Sequence, residues 1–228
     1  MGFDLAKALP GFIVVLLSLT VHEFAHAWTA HRLGDDTAAR MGRLTLNPLP
    51  HIDLIGTIVV PLVLTMAGVS PLGWAKPVPV NPANFRRGVK MSTGDTLVSF
   101  AGPISNLAFA LLAAIAWGLL LRFAPSLVVR DAPAGMLLQA LVVVNVILAI
   151  FNLLPLPPLD GSHFVGHVLP RRLQEGWERF RAFGPLVLIA LLYIPAGRGG
   201  PPLLWTVLRP AQDFVLSFYS LVINGIAA

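Results

Sequence analysis

Residues 9–30 read LPGFIVVLLSLTVHEFAHAWTA. The first part of this run, residues 9–21, holds no ionisable side chain, and then His22, Glu23 and His26 appear within five positions. A bilayer core of about 30 Å is crossed by ~20 helical residues, so the run is long enough to span a membrane. A charged group at mid-helix in hydrocarbon costs roughly 2.5–3.5 kcal/mol even on lenient insertion scales. Three such groups placed together in one span therefore call for a shared reason.

The rest of the chain is built from the same material. Of its 228 residues, 56% are hydrophobic and 12% charged, against roughly 25% charged in soluble domains. Mean hydropathy is +0.76. Further apolar runs occupy residues 54–69, 96–124, 135–154, 183–194 and 203–226. Runs 9–30, 96–124, 135–154 and 203–226 have the length of full spans, while 54–69 and 183–194 are short. Twenty prolines and twenty glycines suit broken helices that line a cavity, where neighbouring helices and water satisfy the freed backbone groups. The expected fold is therefore an all-α polytopic membrane protein of about five to six transmembrane or re-entrant helices, with a short extended proline-rich segment near the site. Residues 1–228 are expected to form a single integral-membrane domain, with the N-terminal run retained as a span and not cleaved as a signal. With no cysteine in the chain, disulfides are excluded and any metal must be held by His, Asp or Glu. The net charge of +5 comes with no basic helix or aromatic-interleaved motif, so no nucleic-acid partner is expected.

Eleven of the sixteen Lys and Arg residues fall in three clusters. These are Arg32, Arg40 and Arg43; Lys76, Arg86, Arg87 and Lys90; and Arg171, Arg172, Arg179 and Arg181. The positive-inside rule places all three on the cytoplasmic face only if residues 54–69 dip into the membrane and return. A re-entrant or hairpin element over 54–93 is therefore expected. It is followed by a packing span at 96–124, a span and loop at 135–162, an interfacial amphipathic helix at 171–181, and C-terminal spans within 183–226. Residues 72–84, LGWAKPVPVNPAN, carry prolines at 77, 79 and 82 and cannot form a regular helix. They read either as an extended edge that pairs with an unwound strand, through Trp74, Lys76, Pro77 and Val78, or as a surface loop fixed by proline.

His22-Glu23-Phe24-Ala25-His26 is an H-E-x-x-H motif. On a helix, residues four apart share a face, so both imidazoles can reach one zinc while Glu23 stands beside it to deprotonate a water. His22 lies about 20 Å along the helix from Leu9, at 1.5 Å per residue, which sets the metal within the bilayer's thickness. Two histidines leave the tetrahedron short of a protein ligand. Asp160 is the only acid between Asp131 and Glu175, and it follows a run broken by Pro155, Pro157 and Pro158. Such a broken helix can fold back and deliver a carboxylate. The competing readings are histidines hydrogen-bonded in a bundle core, and Asp160 as a turn residue. His163 and His167 are four apart but bring no carboxylate with them, and His31 and His51 have no partners in sequence and read as interfacial.

HEFAHAW in the first span, AGPISN at 101–106 and FNLLPLPPLDG at 151–161 resemble the signatures of the site-2 protease family of intramembrane zinc metalloproteases. GRLTLNPLPHIDLIG and GWAKPVPVNPANFR resemble its compact bacterial branch, so neither a PDZ-like insertion nor an appended nucleotide-sensing domain is expected. The resemblance implies one Zn2+ per chain on His22, His26 and Asp160, with Glu23 as general base. It also implies that Asn152 orients substrate or stabilises the oxyanion, the alternative being a helix C-terminal cap. Gly102, Pro103 and Asn106 are expected to allow close helix packing. The implied activity is hydrolysis of peptide bonds in or near transmembrane segments of membrane-protein substrates, in regulated intramembrane proteolysis. The expected setting is the cell membrane, crossed several times, with the site toward the cytoplasm. A metal-ion transporter or channel using the same His/Asp cluster is the rival reading.

Overall fold

The computed structural model describes residues 5–66, 73–128, 132–197 and 199–228, with side chains from Pro10 onward. Residues 67–72, which close the apolar run 54–69 and include Leu72 of the expected extended segment, lie outside the described residues. The described chain is all-helical, with no strand beyond a single bridge between Pro195 and Pro202. Two compact units divide it, residues 1–105 and 106–228.

The first unit opens with α1 (Leu5–Leu33). Val14, Ser18, His22, His26 and Ala30 recur every fourth residue along it and are all buried, which puts both motif histidines on one inward face. Phe12, Ile13, Val15 and Leu17 are exposed on other faces, apolar surface of the kind that lipid covers. His31 and Arg32 in the last turn complement the negative end of the helix dipole. Gly34, at φ +110°, then turns the chain into α2 (Thr37–Arg40).

A π-helical turn, Leu54–Val59, continues into α3 (Val60–Met66). Its first amides are capped by the Asp53 carboxylate, which accepts from Ile55 N–H at 3.0 Å and Gly56 N–H at 2.7 Å. Leu54–Met66 is apolar but shorter than the ~20 residues that a full crossing needs. When the description resumes, residues 73–80 are irregular chain, as the absent proline donors require. Trp74 N–H donates to Gly56 O at 3.1 Å, Thr57 Oγ1 donates to Trp74 O at 2.8 Å, and Lys76 N–H donates to His51 O at 2.9 Å. The outgoing and returning limbs thus meet at the base of the short helix.

The long helix α4 (Met91–Phe123) gives its first half to this unit and its second half to the next. The second unit adds α5 (Pro133–Asn152), α6 (Gly161–Val168), α7 (Arg171–Tyr193) and α8 (Leu203–Ala227). α8 packs on both α5 and α7. Its inward residues Leu204, Leu208, Tyr219 and Ile223 are buried, and Tyr219 Oη donates to Leu107 O at 2.7 Å. Gly118 brings α4 onto the end of α8, where an added Cβ would fall 2.8 Å from that of Ile226. The interfacial segment 171–181 and the apolar run 183–194 are parts of one helix, α7, which runs through Pro185. Pro10–Leu33, Met91–Phe123 and Pro133–Asn152 are the three described helices long and apolar enough to cross a membrane.

Candidate metal centre

His22, Glu23 and His26 are all buried, at 4%, 9% and 8% exposure. The two imidazole rings stand edge to face with centroids 4.6 Å apart. His26 Nδ1 lies 2.7 Å from Val98 O. A carbonyl can only accept, so Nδ1 carries the proton and Nε2 keeps its lone pair, the tautomer that a metal requires. Val98 lies just ahead of the α4 turn in which Pro103 removes a backbone donor.

Gly102, in that turn, marks where the two rings point. A Cβ on it would fall 2.5 Å from His26 Nε2 and 2.6 Å from His22 Nε2. Both donor nitrogens therefore converge on one spot that the absent side chain keeps open. Two converging imidazole nitrogens, in a chain without cysteine, are donors that fit zinc. Glu23 is held by the proline-rich segment: Val78 N–H donates to its Oε2 at 2.9 Å.

Asp35 anchors the far end of the same proline-rich segment. It is fully buried and accepts from Asn81 N–H at 2.7 Å, Asn84 Nδ2 at 2.9 Å, Thr37 N–H at 3.1 Å and the Thr37 hydroxyl. Burial pushes its carboxyl up, but the hydrogen bonds from Asn81, Thr37 and Asn84 outweigh this and hold it below the ordinary carboxylate range.

In the second unit, Asp160 is half-buried and immediately precedes α6, after the proline-rich loop that follows α5. That loop is tightly set, since a Cβ on Gly161 would fall 2.3 Å from Leu153 O and one on Gly184 would fall 2.4 Å from Pro157 O. Asn152 is the last residue of α5, and its Nδ2 donates to Leu148 O at 3.0 Å, back onto its own helix. Asn106 is fully buried and donates from Nδ2 to Asn145 Oδ1 at 2.7 Å, while Asn145 Nδ2 donates to Leu141 O. Pro103 is fully buried as well. Trp74, Lys76 and Pro77 are exposed and Val78 is half-buried.

Two expectations need correction. His51 is not interfacial: it is 1% exposed, with Nε2 2.9 Å from Thr45 O. His31 has a partner close in sequence, Asp36, whose Oδ1 is 2.7 Å from Nδ1. Sequence reasoning also passed over Asn145, Asp35 and the buried Arg43. The signal for Asn145 was available, a lone amide inside the apolar stretch VVVNVILAIF.

Residues 123–194 match the family model described as Peptidase family M50. The chain is 35% identical over 211 residues to "Putative zinc metalloprotease YwhC" of Bacillus subtilis (strain 168), covering 92% of this chain and 90% of that one. It is 32% identical over 182 residues to "Putative zinc metalloprotease Rip2" of Mycolicibacterium smegmatis, covering 79% of this chain and 65% of that one. No solved structure matches the chain.

Proposed function

The chain belongs to peptidase family M50, the site-2 protease family of zinc metalloproteases, and from that premise we propose that it cleaves peptide bonds in or near the transmembrane segments of other membrane proteins. It is a zinc metallopeptidase of a membrane-embedded family. The observation that carries the reading is the convergence of His22 Nε2 and His26 Nε2 at Gly102, with Glu23 alongside.

In this reading His22, His26 and Asp160 hold the zinc. Two imidazoles leave the tetrahedron short of a protein ligand, and Asp160, the lone acid after the proline-broken run, has the carboxylate to complete it. Bound there, zinc supplies Lewis acidity that polarises the scissile carbonyl and eases deprotonation of water. Glu23 takes that proton and passes it to the leaving amine. Because Val78 N–H already occupies Oε2, Oε1 is the oxygen left for the proton. Asn152 donates one of its two amide hydrogens to Leu148 O, and the second can serve the developing oxyanion. Gly102, Pro103 and Asn106 permit the close helix approach that sets the rings.

A substrate helix hides its carbonyls in internal hydrogen bonds, so it must unwind before cleavage. The segment containing Trp74, Lys76, Pro77 and Val78 would receive it as an added strand. The amides of Trp74, Lys76 and Val78 are engaged with Gly56, His51 and Glu23. Pairing therefore falls to the segment's other edge.

We place this site in one catalytic domain of a multi-pass protein of the cell membrane, opening toward the cytoplasm. The hydrogen bonds between residues 51–57 and 74–76 support a re-entrant element at 54–93, and in this reading the first two cation clusters share one face.

The test incubates the purified chain with a panel of transmembrane peptides, comparing wild type with Glu23→Gln. The expected result is zinc-dependent cleavage that disappears in the variant while zinc is retained. Cleavage that persists in the variant would refute the assignment of the base.

A further inference from the structure

Arg43 is the one Lys or Arg side chain that is buried among those described, at 4% exposure. A guanidinium leaves water at high cost unless its donors are met. Here one nitrogen is met by backbone, Nη2 donating to Lys76 O, and to Pro77 O at 3.4 Å, while Nε is buried with no partner among the described residues. Both partners are carbonyls of one dipeptide, and the charge on the donor strengthens such bonds.

The chain delivers Arg43 to this place by a fixed turn. Gly42 N–H donates to Ala39 O at 3.0 Å, and Arg43 N–H donates to Ala38 O at 2.8 Å. With Gly42 at φ +67°, this is the Schellman closure of α2. The direction in which Arg43 leaves the backbone is thereby set by local structure.

What Arg43 holds is adjacent to what Glu23 needs. The Pro77 carbonyl and the Val78 amide are two ends of one planar peptide unit, so they move together. The Lys76 carbonyl is joined to that unit through a φ that the proline ring fixes. The Val78 amide then donates to Glu23 Oε2 at 2.9 Å. The path from guanidinium to carboxylate is two hydrogen bonds and one stiff dipeptide.

We propose that Arg43 is a positioning residue for the reaction, clamping the Lys76–Pro77 dipeptide so that the Val78 amide fixes the rotamer of Glu23. This rests on the reading of Glu23 as the general base. Arg43 touches neither substrate nor metal, and the substrate pairs along the segment's other edge, so its loss acts on the chemical step more than on substrate binding.

The test uses the full chain in detergent with a quenched-fluorescence peptide, a ~20-residue apolar helix interrupted by Gly-Pro, that wild type cleaves. Arg43→Met and Arg43→Lys are compared with wild type for kcat, KM, bound zinc and melting temperature. Misplacement of a group near the chemistry by an ångström costs about a hundredfold. The expected result for Arg43→Met is therefore a kcat lower by about ten- to a hundredfold, with KM and zinc content close to wild type. Arg43→Lys, which has the charge but not the two-carbonyl fork, should fall between the two. An unchanged kcat overturns the proposal, as does a rise in KM alone, which would confine Arg43's effect to the substrate-binding edge of the segment. A kcat that falls only in step with bound zinc or folded fraction also overturns it, as that is a structural effect. If Arg43→Met does not fold, Arg43→Lys decides the matter: a lowered kcat at wild-type zinc content supports the clamp and a wild-type kcat overturns it. Absence of any zinc-dependent cleavage by wild type would instead sink the protease reading itself.

Discussion

Gly102 carries the site by having no side chain. A methyl group there would press on both His22 Nε2 and His26 Nε2 at 2.5–2.6 Å, well inside van der Waals contact. Replacing it by alanine improves helix propensity, yet it must turn one or both rings away from their common target. Gly102→Ala is expected to weaken zinc binding about ten- to a hundredfold, in the range of lost ligand-orienting contacts, as read by chelator competition. Asp35 poses the opposite case, a charge held by many donors. Asp35→Ala removes the buried acceptor that Asn81, Asn84 and Thr37 share, and a loss of about 3 kcal/mol at neutral pH is expected. Because the folded carboxyl titrates below its unfolded value of about 3.9, its stabilisation is complete above that value and is lost as pH falls through the lower folded one. Melting temperatures of wild type and variant should therefore differ at pH 7 and converge below about pH 4. A gap that stayed constant with pH would contradict the charged-carboxylate account.

At the scale of elements, the short pieces between α1 and α4 do more positioning than their length suggests. α2 is only four residues long, yet its Gly42 closure aims Arg43 and so braces the proline-rich segment. A Cβ on Gly42 would meet no atom within 4 Å, so Gly42→Ala produces no clash; its cost comes from the left-handed backbone alone, about 1–2 kcal/mol. Thermal unfolding of that variant in detergent measures it, and a loss near zero would mean that the turn rearranges freely. The π-helical start of Leu54–Met66 and the irregular segment 73–80 brace each other through Gly56, Thr57 and Trp74. Gly56 is required there, because a Cβ would fall 2.2 Å from the Trp74 ring.

For the whole molecule, the consequential question is on which face the two limbs of that element lie. The chain has no native cysteine, so single cysteines can be introduced without background. Lys76→Cys and Lys90→Cys, both at exposed positions, are expected to react with a membrane-impermeant thiol reagent from the cytoplasmic side only. Labelling of either from the outer face would rule out the re-entrant topology. Much of the plan was open to sequence reading because it depends on short range. His22, Glu23 and His26 share one helix face through a spacing of four, and Asp160 stands out as a lone acid after a proline-broken run. His51, Arg43 and Asp35 were read wrongly or passed over because their burial comes from partners such as Lys76 and Asn81, which no local period brings near. The sequence by itself determined that this is a helical, membrane-embedded zinc metallopeptidase, since hydropathy, helical spacing and donor chemistry are local properties of the chain. Only the tertiary structure decided the His26 tautomer, the opening that Gly102 keeps for the two imidazoles, and the amide that holds Glu23, because each is a contact between segments distant in sequence.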